Sequence, residues 1–338
     1  MNYEVTMAFP VYNAEKHLRE SLLTALAQDY PSIEYLIVDD CSTDGSAGVV
    51  RQLQQEHPRG GDIRIVSQEH NSGVGAARNR ALDEARGRFL YFMDADDKIV
   101  PTTISLMMEA GKSCDAQAVM ASYERIELYQ DRNNRIPYQL PHKVFTQDDE
   151  LAAFAFHHYG ALQANIWNIL MSLELIRSCG LRFIETNFWE DMAFKYRFIT
   201  RVARAVLLPD ITYSYICREN TLSNFQARKT ITKEEILRNV STICSLKRDI
   251  SRMKEKSYFK GWLNFMLKTD FFIIKNALKM RENITPPISD AELREILRSP
   301  ISVTETLKHG GWRATVFKVF TILPPRLSMW VIGMMNKL

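Results

Sequence analysis

Along the first 121 residues, short apolar runs rich in β-branched residues alternate with stretches of helical period; Val5–Phe9, Tyr35–Val38, Ile63–Val66, Phe89–Met93 and Ala118–Ala121 read as strands. That alternation predicts βαβ units and an α/β fold with a mostly parallel sheet flanked by helices. Between the first two runs, Leu18, Leu22, Ala25 and Leu26 share one helical face, and Gln28-Asp29-Tyr30-Pro31 stops the helix. Thr102–Ser113, following Pro101, carries Ile104, Met107 and Met108 and predicts another helix. Gln130–Pro141, rich in Asn, Arg and Pro, reads as a loop joining the two halves of the domain.

The pattern changes towards the C-terminus. Thr232-Lys233-Glu234-Glu235 has the form of a capping box and opens a helical region with Ile236, Leu237, Val240, Ile243, Cys244 and Leu246. Phe259–Met280 is dense in large apolar residues with lysines interspersed, and Trp312–Met335 is apolar but broken by Arg313, Lys318, Arg326 and Pro324-Pro325. The latter suits two short amphipathic helices better than one membrane span. Two domains follow: residues 1–225, and a basic helical extension over 226–338.

Composition and charge narrow the class. With 338 residues, 46% hydrophobic and 25% charged, the chain is globular rather than disordered or collagen-like. Five scattered cysteines without a CxxC pair give neither a disulfide frame nor a zinc ribbon, and a reducing compartment fits. No secretory signal is visible, so a cytoplasmic protein is expected. The net charge of +3 divides unevenly: residues 1–220 hold 22 Lys+Arg against 30 Asp+Glu, a net −8, and residues 221–338 hold 21 against 10, a net +11. A basic third of this kind means nucleic acid, an anionic membrane, an anionic substrate or simply a solvated lysine-rich surface. Nucleic acid is disfavoured by the acidic first 220 residues and by the lack of any zinc-finger, RRM-like or helix-turn-helix signature.

Ligands of open α/β sheets bind beyond the carboxyl ends of the strands, where this chain is acidic. The second strand runs into Asp39-Asp40-Cys41-Ser42-Thr43-Asp44-Gly45 and the fourth into Asp94-Ala95-Asp96-Asp97. Such clusters repel unless a cation lies between them, and Asp94 and Asp96 offer oxygens to one hard divalent ion. His70–Asn79 is a Gly-rich turn opening a helix; it lacks both the P-loop and the dinucleotide fingerprints, yet it places Arg78 where its fork of donors offsets carboxylates or reaches a diphosphate. Glu190-Asp191, followed by Phe194 and Phe198 at helical spacing, stands at a helix N-terminus, as a cap or as a functional carboxylate. His157-His158 reads as packing or surface.

Taken in order, Phe9-Pro10-Val11-Tyr12-Asn13, Val38–Ser46, Asn71–Asn79, Met93–Asp97 and Trp189–Phe194 resemble the inverting, nucleotide-sugar-dependent family 2 glycosyltransferases of bacterial surface polysaccharides, whose fold is termed GT-A. The resemblance spans about residues 3–220. It implies that Pro10, Tyr12 and Asp40 hold the nucleotide base with Asp39 nearby, that Asn13 and Arg78 also bind the nucleotide, and that Asp94 meets the ribose. It further implies Mn²⁺ or Mg²⁺ on Asp96, with Asp94 or Asp97 in support, and Asp191 as general base assisted by Glu190. Arg218 and Ser223 are weaker candidates for a loop over the diphosphate. Ile169 stands where such enzymes carry lysine in a Trp-Asn-Lys-Leu segment. The donor implied is a UDP-sugar or another nucleotide sugar, and the acceptor a glycan or lipid-linked hydroxyl. The basic third is then expected to touch an anionic inner membrane leaflet peripherally, or to form a helical lid or a homodimer interface. A metal-dependent nucleotidyltransferase is the rival enzyme class.

Overall fold

The computed structural model describes residues 3–129, 132–158, 162–186, 189–218, 231–297, 302–320 and 322–335, which divide into two units: 1–151 with 163–224, and 152–162 with 225–338. The first unit begins β1 (Val5–Val11), α1 (Glu15–Leu26), β2 (Ile33–Asp39), α2 (Ser46–Glu56), β3 (Ile63–Ser67), α3 (Val74–Glu84), β4 (Phe89–Phe92), β5 (Lys98–Ile99) and α4 (Thr103–Lys112). It continues through β6 (Ala118–Tyr129), β7 (Arg132–Tyr138), β8 (Lys143–Phe145), α5 (Glu150–His157), which runs into the second unit, then β9 (Ile169–Ser172), α6 (Leu173–Ser178), α7 (Glu190–Ile199) and β10 (Ala205–Arg218).

These strands form one sheet in the order β3-β2-β1-β4-β9-β6-β10-β5, with β7 on β6 and β8 on β10. The four strands from β3 to β4 pair in parallel, as helical crossovers require. β1 and β2 are buried along almost their whole length, the mark of parallel strands covered on both faces. Beyond β4 the sheet is mixed: β9 lies antiparallel to both β4 and β6, whereas β6 and β10 are parallel. The two acidic strand ends therefore flank β1 from either side, with one strand between them.

The expected loop over 130–141 is corrected. β7 pairs antiparallel with β6 from Tyr123↔Tyr138 to Tyr129↔Arg132, and Tyr123 stacks on Tyr138 at 4.8 Å. Its Asn, Arg and Pro residues disguise it, because among the described residues it pairs with β6 alone and its side chains are mostly exposed; an edge tolerates Pro137. His158 is exposed and stacks on Phe154 at 4.9 Å.

The second unit is helical: α8 (Lys233–Lys247), α9 (Ile250–Met253), α10 (Phe259–Lys279), α11 (Asp290–Ile296), α12 (Val303–Glu305), α13 (Gly311–Val319) and α14 (Pro325–Met335), with β11 (Ile231–Thr232) pairing β12 (Ile284–Thr285). Thr232 caps α8 by accepting from Glu235 N at 3.1 Å. The apolar face of α10, including Trp262, Phe265, Met266, Ile273 and Ile274, forms the core against which α8, α11, α13 and α14 pack. Gly261 is required where α10 meets 152–162, since a Cβ there would lie 2.5 Å from the carbonyl oxygen of Phe156. Among the described residues, no helix is long and apolar enough to cross a membrane.

Candidate active site

The turns after β1 and β2 are sewn together by side chains. Asn13, in the left-handed region at φ 49°, accepts from Thr43 N at 2.8 Å, while its own N–H donates to Ser42 Oγ at 3.0 Å. Ala14 N donates to Ser46 Oγ at 2.9 Å and Glu15 N to Asp44 Oδ2 at 3.1 Å. These bonds leave Tyr12 standing out at 49% exposure beside Pro10. An exposed ring on a rigid turn is a stacking platform.

Asp39 and Asp40 differ in their engagements. Asp39 Oδ1 accepts from Ser42 N at 3.1 Å. Asp40, 3% exposed, accepts from Gln68 Nε2, from Ser72 N at 2.8 Å and from Gly73 N at 2.8 Å. Asp40 thus fixes the Gly-rich turn that launches α3, and three of its roughly four acceptor sites are taken.

α3 is in turn fastened to the segment that precedes α7. Asn79 forms a paired amide clamp on Phe183, accepting from its N–H at 2.8 Å and donating to its carbonyl at 3.0 Å. Phe183 stacks on Phe194 of α7 at 4.0 Å and meets Phe92 of β4 edge-on at 5.6 Å. Gly75 allows this approach: a Cβ would fall 2.3 Å from the carbonyl oxygen of Ile184.

Within this frame, buried Arg78 donates from Nη1 to Glu190 Oε1 at 2.5 Å and from Nη2 to Asp94 Oδ1 at 3.3 Å. One guanidinium thereby joins the turn after β4 to the start of α7, and its pair with Glu190 spans 112 residues of sequence. Its Nε is buried without a hydrogen-bond partner. Burial and the charge of Asp191 push Glu190 up to about 7, against the downward pull of Arg78. Asp191, in the first turn of α7 and less buried than Glu190, is also raised, by burial above all, and feels the charges of Arg78, Asp94 and Lys195. Since Trp189 holds the N-cap position, Asp191 is not the capping residue.

The turn after β4 separates its three acids. Asp97, fully buried, accepts from Tyr213 OH at 2.7 Å and Ile216 N at 2.8 Å, bracing the turn against β10. Tyr213 OH also accepts from Asp94 N at 3.2 Å. The side chains of Asp94 and Asp96 remain 31% and 36% exposed. Burial and the charge of Asp94 raise Asp96 to about 6, while Arg218, 3.3 Å from Asp96 Oδ2, lowers it. Among the described residues no three His, Cys, Asp or Glu side chains are grouped as for a metal cage. Two adjacent, repelling, partly open carboxylates nevertheless fit a hard cation that draws its other ligands from water and phosphate. Ser223 lies outside the described residues.

Two groups escaped the sequence reading. Lys195, 3% exposed and one helical turn after Asp191, donates to the Gln163 carbonyl at 2.5 Å, and burial lowers it to about 7. Asn168 is a fully used hub, accepting from Tyr91 OH and Thr212 Oγ1 and donating to the carbonyls of Ala121 and Ser122. Lys195 had no signal beyond its place in an apolar stretch, whereas Asn168 stands in the segment that resembles Trp-Asn-Lys-Leu. Ile169, where lysine was expected, is 1% exposed in the core of β9, an environment that excludes a free ammonium.

A parallel βαβ half with acidic strand ends, joined to a mixed half that carries α7, is the GT-A fold. Residues 6–165 match the model of glycosyl transferase family 2. TuaG of Bacillus subtilis (strain 168), named for teichuronic acid biosynthesis, is 42% identical over 94 residues, covering 28% of this chain. The chain spans 36% of the length of that relative. Among solved structures, S. aureus TarS 1-349 in complex with UDP-GlcNAc shares the fold with a TM-score of 0.59 at 16% identity, covering 94% of this chain and 90% of TarS 1-349. The mannosyltransferase PcManGT from Pyrobaculum calidifontis, in complex with GDP-Man and Mn²⁺, has a TM-score of 0.50 at 16% identity, covering 100% of this chain and 89% of its own.

Proposed function

We propose that the protein is an inverting glycosyltransferase that moves a sugar from a nucleotide sugar, a UDP-sugar before others, to a hydroxyl of a glycan or lipid-linked acceptor in cell-surface polysaccharide synthesis. The observation that carries this reading is the Arg78 bridge, which brings the donor-side Asp94 and the Glu190-Asp191 helix start to one centre. Tyr12 stacks on the base with Pro10 and Asn13 at its edge. Asp39 offers the more open acceptor for a base N–H, while Asp40 holds the turn beneath it. Asp94 meets the ribose.

Asp96, with help from Asp94, would hold Mn²⁺ or Mg²⁺, which supplies charge stabilisation to the departing diphosphate when bound. Asp97 keeps that turn in place through Tyr213 rather than spending its oxygens on a ligand. Arg218 lies beside Asp96, placed to exchange its carboxylate for the diphosphate. Asp191 takes the acceptor proton as the acceptor oxygen bonds to the anomeric carbon; the bond from that carbon to the diphosphate oxygen breaks with its electron pair leaving on the nucleotide. Glu190 orients Asp191 by anchoring the helix start to Arg78. A single displacement inverts the anomeric centre.

Thermal stabilisation by a nucleotide-sugar panel in the presence of Mn²⁺ tests the division of roles. Asp96→Ala is expected to lose donor stabilisation, and Asp191→Asn to keep it while losing turnover. Normal binding and turnover in both variants would overturn the assignment.

A further inference from the structure

The second unit displays two apolar stripes at helical spacing. On α13, Trp312, Val316 and Val319 are 69%, 43% and 37% exposed, and on α14, Leu327, Trp330 and Met334 are 43%, 60% and 42% exposed. Ile322, in the connection between the helices, is 65% exposed. The opposite faces, Ala314 and Lys318 of α13 and Ser328, Met329 and Ile332 of α14, are buried, and both helices pack on α10. These stripes therefore lie outside the buried core of the unit. Large exposed apolar patches mark interaction sites rather than ordinary surface.

Charge selects the partner. Residues 306–338 contain five Lys+Arg and no Asp or Glu, within a region of net +11. Lys308 and Arg326 flank the stripes and are exposed, and α10 adds exposed Lys268, Lys275 and Lys279 around Phe272, itself 48% exposed. A second copy docking through these basic helices would set like charges against each other. A lipid surface with anionic headgroups matches both features, since the tryptophans and aliphatic side chains enter the interface while the cations meet the headgroups.

We propose that α13 and α14 form a surface that lies on an anionic lipid bilayer without spanning it. This inference stands independently of the donor chemistry. Co-sedimentation of the full chain with vesicles of equal parts phosphatidylglycerol and phosphatidylcholine tests it. Binding is expected to fall by about tenfold or more on pure phosphatidylcholine, in about 0.5 M salt, and in Lys308→Glu/Arg326→Glu. Trp312→Ser/Trp330→Ser is expected to lose binding with its melting temperature and its response to nucleotide sugar unchanged. Brominated phosphatidylcholine mixed into the anionic vesicles gives a reading on the unaltered protein, whose tryptophan fluorescence should be quenched. Absence of quenching, equal binding by both double variants, or a concentration-dependent dimer abolished by Trp312→Ser/Trp330→Ser would overturn the proposal, the last by making the stripes an interface between copies.

Discussion

Asp191 and Lys195 stand one helical turn apart on α7, each displaced from its ordinary titration by burial. As the general base proposed above, Asp191 would work only when deprotonated, and burial holds its proton to higher pH. The acid limb of kcat therefore lies above the usual carboxylate range, and activity rises with pH through it. Asp191→Asn should lower turnover by about 10²–10⁴-fold, with donor affinity kept, as stopped assays of nucleotide release would register. Lys195 bears on stability instead. The folded chain gives up that proton near pH 7 and the unfolded chain near 10.5, so unfolding takes up a proton between these values and stability rises with pH across them. Urea melts from pH 7 to 10 should show this slope in the parent and a flatter profile in Lys195→Met. The carboxylates of this site were legible in the sequence because acids in strand-end turns stand out from an apolar pattern. Lys195 and Tyr213 were not, for both sit in stretches whose period says only that they are inside.

At the level of elements, the Gly-rich turn and α3 act as the joint between the two halves of the sheet. Asp40 anchors one end of that joint, and Gly75, Arg78 and Asn79 the other. Asp40→Ala would strand the Ser72 and Gly73 N–H groups and should destabilise the protein by about 2–3 kcal/mol in denaturant titration. A carboxylate that only read the base would lose nucleotide affinity with no change in stability. Gly75→Ala drives a methyl into the backbone at Ile184 and should cost about 1–3 kcal/mol, with a loss of turnover because the same segment leads into α7. The strands β1 to β4 and the helices between them were readable from periodicity, since parallel strands buried on both faces make continuous apolar runs. β7 was not, because a mostly exposed edge strand with polar side chains has the composition of a loop. The ion pair from Arg78 to Glu190 spans 112 residues and exists only once the topology has folded α3 towards α7.

On the scale of the whole molecule, the two units divide labour along the charge asymmetry already visible in the chain, −8 over residues 1–220 and +11 over 221–338. The acidic unit gathers Asp94 and Glu190 around Arg78, and the basic unit turns apolar side chains outward. The central claim is a single displacement in which one carboxylate, Asp191, faces the leaving group across the reacting carbon. That claim is tested most directly by the anomeric one-bond C–H coupling of the product, measured by NMR once an α-linked nucleotide sugar is found that turns over. A β-linked product is the result expected; an α-linked product would contradict the account, since it requires a second displacement for which Asp191 alone provides no nucleophile.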